Sequence, residues 1–145
     1  MAITQAMCTS FKVGILDGDF DFGTGTAQVF KIALYTSAAT LSAATTAYTT
    51  SNEVTGSTGY SAGGNILVVS QVPTSTGTTA FLDFSDTTWT TATITARGAL
   101  IYLANGTTNP AVAVLDFGGD KTSTAGNFTI QFPAADATNA ILRIA

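Results

Sequence analysis

The densest apolar patterning in the chain lies between positions 92 and 117, where two β-branched runs flank a loop holding Asn105-Gly106 and Asn109-Pro110. Those loop residues let the backbone take positive φ and then give up ladder donors, so the pattern predicts a β-hairpin. Ile94, Leu100, Ile101, Leu103, Val112, Val114 and Leu115 carry too much apolar surface for a solvated edge. The hairpin is therefore expected at the centre of a sheet, with cover on one or both faces.

Ile3, Met7, Phe11 and Ile15 recur every four residues, which stacks them on one side of a helix with Thr4 placed to cap its first turn. The spacing predicts a helical arm over residues 1–16 that packs on the protein's own sheet or docks on a neighbouring subunit. Gly14 weakens its last turn. Asp17, Asp19 and Asp21 then alternate as in a calcium loop, but Phe22 stands where the sharp turn needs glycine and Gln28 where a bidentate glutamate belongs. A solvated turn is expected there, and no metal.

A strand is predicted over 27–36, with Phe30, Ile32 and Leu34 on one side. Residues 37–64 are Ala/Thr-rich, aperiodic and then glycine-rich, a long loop excursion holding at most one helical turn over 37–48 and a short edge strand over 48–54. A strand over 65–72 is ended by Pro73. Residues 78–84 alternate cleanly and read as paired with a strand over 87–91 that carries Trp89. Gly98 suggests a bulge beside Arg97. Residues 116–125 read as a loop, 128–132 as a strand stopped by Pro133, and 140–145 as a final apolar strand pinned inside a sheet. About eight strands without βαβ alternation point to an all-β fold, a two-sheet β-sandwich of jelly-roll type with a short amino-terminal helix. No internal repeat stands out, and one domain over 1–145 is expected.

Composition sharpens this picture. Charged residues are 10% of the chain against about 25% in an ordinary soluble domain, and threonine is close to a fifth. Long charged side chains are scarce, which disfavours surface helices, whereas threonine suits the wet face of a strand. The net charge is −4 and the five basic residues, Lys12, Lys31, Arg97, Lys121 and Arg143, are scattered, so nucleic acid is not an expected partner. No apolar run approaches the length of a membrane span, and no secretory signal is expected from the first residues. Cys8 is the single cysteine, and the chain has no histidine, so neither a disulfide framework nor a soft-ligand metal site is expected.

The short motifs that suggest chemistry each fail on a neighbouring requirement. Gly59-Tyr-Ser-Ala-Gly63 fits a nucleophile elbow around Ser61, but a Ser-His-Asp triad needs a histidine. Asp116-Phe-Gly118 lacks the rest of a kinase, and Asp120 precedes Lys121 where a phosphate loop needs glycine. Asp83 with Asp86, or Asp116 with Asp120, could serve a glycosidase only if folding held them about 5–10 Å apart across a cleft; the simpler reading is turn-formers and caps. Asn105-Gly-Thr107 and Asn127-Phe-Thr129 match a glycan acceptor pattern that matters only in a secretory pathway. The chain is expected not to be an enzyme and to carry no cofactor.

Several segments together resemble a family of small tailed-bacteriophage virion proteins. They are residues 1–12, Phe30-Lys-Ile-Ala-Leu-Tyr-Thr-Ser37, Thr95-Ala-Arg-Gly-Ala-Leu-Ile-Tyr102, residues 113–123, Phe128-Thr-Ile-Gln-Phe-Pro133 and Ile141-Leu-Arg-Ile-Ala145. The resemblance spans nearly the whole chain and carries no catalytic motif. It implies a capsid decoration, or cement, protein made in the host cytoplasm, which binds the major capsid protein on the outer head surface as a homotrimer and stabilises the shell. Met7, Phe11, Ile15, Phe20, Phe22 and Trp89 are the candidate interface residues. A tail or head-tail module that binds a host glycan through Tyr60, Trp89 or Tyr102 is the alternative, with a hydrolytic β-domain as a third class.

Overall fold

In the computed structural model, which describes residues 2–25 and 27–145, the expected hairpin is the longest feature of the molecule. Taking strands and helix in chain order, β1 is Ala6–Met7, α1 is Thr9–Asp17, β2 is Phe30–Tyr35, β3 is Asn65–Ile66 and β4 is Val69–Thr76. They are followed by β5 (Thr79–Phe84), β6 (Thr87–Leu103), β7 (Ala111–Ile130) and β8 (Leu142–Ile144). These form two antiparallel sheets, one of five strands in the order β1-β7-β6-β2-β3 and one of three in the order β4-β5-β8. The all-β, two-sheet sandwich of about eight strands with one short helix is thus what the sequence pattern implied.

The β6–β7 turn is built by its two asparagines. Asn105 Oδ1 accepts hydrogen bonds from the Thr107 and Asn109 backbone amides at 3.0 and 2.9 Å, and Asn109 Oδ1 accepts one from the Gly106 amide at 3.1 Å. Asn109 and Gly106 hold φ of 43° and 74°, the positive values the sequence anticipated. Beside Arg97 the ladder shifts register between Ala96 and Gly98, the expected bulge. A Cβ at Gly98 would lie 2.5 Å from the Leu115 carbonyl oxygen, so only glycine permits this approach.

Four sequence expectations are corrected. Residues 87–91 do not pair with 78–84; they begin β6 and face Ile130, Thr129 and Phe128 of β7, while β5 lies between β4 and β8. Residues 116–125 are not a loop, because Asp116, Lys121, Thr122 and Ser123 continue the β7 ladder against β6 and override the local Gly118-Gly119 signal. Pro73 does not end its strand: β4 is a sheet edge, and Pro73 falls in a register shift between Gln71 and Thr74, where its missing donor costs no ladder bond. The helical arm is shorter than 1–16. Ile3 bridges Leu41 and Met7 pairs with Ala113, so the chain is extended until Cys8 and only Phe11 and Ile15 of the predicted stripe lie on α1.

Cross-strand register shows why β2 and β6 are apolar on both sides. Phe30, Ile32 and Leu34 face Leu103, Ile101 and Ala99 on one surface, while Lys31, Ala33 and Tyr35 face Tyr102, Leu100 and Gly98 on the other. The first surface meets the small sheet through a run of rings. Phe22 stacks on Phe30 at 4.2 Å, Phe84 of β5 sits 6.5 Å from Phe30, and Phe132 lies 5.9 Å beyond Phe84. Phe11 of α1 joins at 4.7 Å from Phe20 and 6.0 Å from Phe22. Gly14 makes room for this, because a Cβ there would lie 2.4 Å from the Phe20 ring.

Phe84 is 1% exposed and shared by both sheets, whereas Leu16 on the outer side of α1 is 88% exposed. Phe84→Ala should lower unfolding free energy by about 3–5 kcal/mol, and Leu16→Ala should change it by no more than about 0.5 kcal/mol. Urea denaturation of the two variants beside the parent chain checks both values.

Candidate functional site

The second surface of β2–β6 is covered by residues 36–64, the long excursion, and here the side chains converge on one group. Glu53, the chain's single glutamate, is 2% exposed. Its Oε1 accepts hydrogen bonds from the Tyr60 hydroxyl at 2.6 Å and the Gly63 amide at 2.7 Å, and its Oε2 accepts one from the Tyr48 hydroxyl at 2.7 Å. The Tyr60 hydroxyl oxygen in turn accepts the Leu34 amide of β2 at 2.9 Å. Tyr102 of β6 donates to the Gly63 carbonyl at 2.8 Å and stacks on Tyr48 with ring centroids 4.5 Å apart. Tyr35 donates to the Thr49 carbonyl at 2.6 Å. All four tyrosines of the chain therefore meet around its one glutamate.

No basic residue makes an ion pair with Glu53 among the described residues; three donors bond its carboxylate directly, and the Lys31 amine lies nearby beside Gly63. Charge-assisted bonds of this kind are stronger than neutral ones, and they fasten a segment with little regular structure to β2. Burial pushes the Tyr102 phenol up to about 12, with the Glu53 charge adding to the shift. Burial likewise raises Tyr35, Tyr48 and Tyr60, and the hydrogen bond to Glu53 raises Tyr48 and Tyr60 further. In this knot the Tyr48 and Tyr60 phenols hold a buried carboxylate.

No known protein family, characterised protein or solved structure matches this chain. What the site can do must be read from its own geometry. The candidate interface residues divide into two places. Phe11, Phe20 and Phe22 come together in the ring run, with Met7 and Ile15 packed beside them at an apolar gap of about 200 Å³ that Leu82, Leu142 and Ile144 close. Phe11 and Phe22 are buried in the chain's own core, while Met7, Ile15 and Phe20 are half-buried. Trp89 is 4% exposed, far from that group in the ring contacts, between Tyr60 at 5.8 Å and Phe128 at 6.1 Å. Tyr102 is also buried, and Tyr60 is half-buried with its hydroxyl tied to Glu53.

The residues weighed for catalysis stand apart from the Glu53 bonds, and several have other partners. Ser61 is exposed and its carbonyl accepts the Gly64 amide, closing a turn. Asp86 Oδ1 accepts the Phe132 amide at 2.8 Å, and Asp116 Oδ1 accepts the Gly118 amide at 2.9 Å and lies 3.6 Å from Arg97 Nε. Asp83 is buried with Oδ1 unpartnered, and desolvation, together with the Asp86 charge, raises its carboxyl above the ordinary range. In the aspartate loop, Asp21 Oδ1 accepts the Gly23 amide at 2.8 Å, and Gln28 bridges the Asp21 amide and the Asp19 carbonyl at 2.8 Å each. Cys8 is buried at the start of α1, and burial pushes its thiol up to about 11, away from thiolate reactivity.

Sequence reasoning missed Glu53 because its partners lie at separations of five to ten residues in an aperiodic stretch and its supports lie on β2 and β6. One signal was available: a lone glutamate amid tyrosines in a chain so poor in charge. The cluster sets an alkaline limit. Below about pH 10 every phenol is protonated, folded or unfolded, and its contribution is intact. Above it the unfolded chain ionises at the ordinary value of 10.0, while Tyr102 stays protonated up to about 12 and the other three also resist. Stability is therefore lost as pH rises through this window, by about 1.4 kcal/mol per unit for each fully buried tyrosine. Tyrosinate absorbance should rise only with unfolding, monitored by circular dichroism, and a gradual rise in the folded protein near pH 10 would contradict the arrangement.

Proposed function

We propose that this chain is a structural subunit of a tailed-bacteriophage virion, a decoration protein that binds the outer face of the mature head as a trimer and stabilises the shell. The observation that carries the reading is apolar surface held out on fixed elements. Val13 and Leu16 on α1, Ile66 on β3, Val68 just after it and Ile144 on β8 are all at least half exposed in a chain with few charges. Scattered exposed apolar residues are ordinary, but here they sit at sheet edges and on an outer helix face, where a neighbouring subunit can cover them. The sequence segments that resemble virion proteins support the same reading, and the scattered basic residues favour a protein partner over nucleic acid.

Such a subunit works by linkage. A trimer that contacts several capsomers of the expanded lattice, and fits the immature lattice less well, stabilises the expanded state by its differential affinity. At a free concentration about a hundred times Kd the gain is about 2.7 kcal/mol per site. The major capsid protein is the expected partner, and no turnover is involved.

Analytical ultracentrifugation of the purified chain and co-sedimentation with expanded and immature heads test this. A trimer that pellets with expanded heads and raises their dissociation temperature is the expected result. A monomer that leaves both head forms unchanged, or one that binds glycans on an array instead, overturns the reading.

A further inference from the structure

We propose that the groove between α1 and the tip of the β6–β7 hairpin is a docking site for a cationic segment of another protein, one in which basic residues alternate with apolar ones. The groove encloses about 840 Å³. Its apolar lining includes Val13, Phe20, Val29 and Leu103, and Val13 and Val29 are 54% and 39% exposed. Leu16, three residues after Val13 on the same side of α1, continues the apolar strip past the groove. A contact that used the whole strip would be longer than the groove itself, which suits an extended peptide better than a compact small molecule.

Charge fixes the occupant. Asp17 and Asp19 line the groove and are exposed, no lysine or arginine lines it, and neither carboxylate has an ion-pair partner among the described residues. An anionic partner would meet uncompensated repulsion there, and a cationic one would be steered in. Asn105 and Thr108 supply further polar contacts from the hairpin tip. A second copy of this chain is a poor occupant, because its net charge is −4 and its five basic residues are scattered through the sequence. The inference concerns partner chemistry alone and does not depend on a virion location.

The test is a two-dimensional NMR titration of the full chain with a synthetic peptide alternating lysine with leucine and valine. Controls are the same peptide with glutamate for lysine and with serine for the apolar residues. The expected result is saturable shifts at the amides of Ser10, Val13, Asp19, Val29 and Asn105, weakened by added salt. Neither control peptide should reproduce them. The double variant Asp17→Asn, Asp19→Asn should bind about fivefold or more weakly, and because both side chains are exposed its melting temperature should match the parent. Shifts confined to other surfaces, equal binding of the glutamate peptide, or unchanged affinity in the double variant would overturn the proposal. So would concentration-dependent shifts at the groove without peptide, which would mean that a second copy fills it.

Discussion

Where β2 pairs with residues 98–103 of β6 neither face is left to water, and the rest of the structure follows from the need to cover this pair twice. Phe30, Ile32 and Leu34 on one side and Ala33 and Tyr35 on the other are all buried, so a single sheet packed on one partner would leave half of this surface in water. The first cover is the small sheet and α1, joined to β2 through Phe11, Phe20, Phe22 and Phe84. Offset and edge-on ring contacts of this kind add to the area they bury, and they do so without polar groups that need partners. The second cover is residues 36–64, which have little regular structure and bond among themselves at only some of their backbone groups.

That second cover is why a carboxylate lies in the interior. An irregular segment brings unpaired amides to a buried surface, and burying them without partners costs more than a good hydrogen bond returns. Glu53 resolves this by accepting the Gly63 amide and two phenols, while Tyr60 passes the connection on to the Leu34 amide of β2. Tyr35 and Tyr102 take the Thr49 and Gly63 carbonyls. The four tyrosines thus serve the backbone with their hydroxyls and the core with their rings.

The central hairpin was legible because its signals are local: Asn105 and Asn109 sit two to four residues from the groups they bond, and the runs on either side are continuously apolar. The all-β class was legible for the same reason, through threonine and the shortage of charge. What escaped depends on partners distant in sequence. Residues 116–125 look like a loop alone and become strand only against β6, which supplies Thr95 opposite Thr122 and Ala96 opposite Lys121. Ile3 and Met7 have helical spacing with Phe11, yet Leu41 and Ala113 draw them into extended structure. Of the candidate interface residues, Phe11, Phe22 and Trp89 were selected for size and apolarity, the properties that also recruit a side chain to its own core. The exposed set, Leu16, Ile66 and Val68 above all, is smaller and aliphatic, and nothing in the local pattern sets it apart from core positions.

With both faces of the β2–β6 pairing closed, the exposed apolar edges and the acidic groove lie on the outside of the fold. That division requires the excursion to belong to the core rather than to drape over it. Native-state hydrogen exchange of the Gly63 and Leu34 amides, which donate to Glu53 and Tyr60, tests this most directly. Both amides should exchange only through global unfolding, with the same protection as the β2–β6 ladder. Fast exchange at Gly63 and Leu34 while the ladder stays protected would contradict the account.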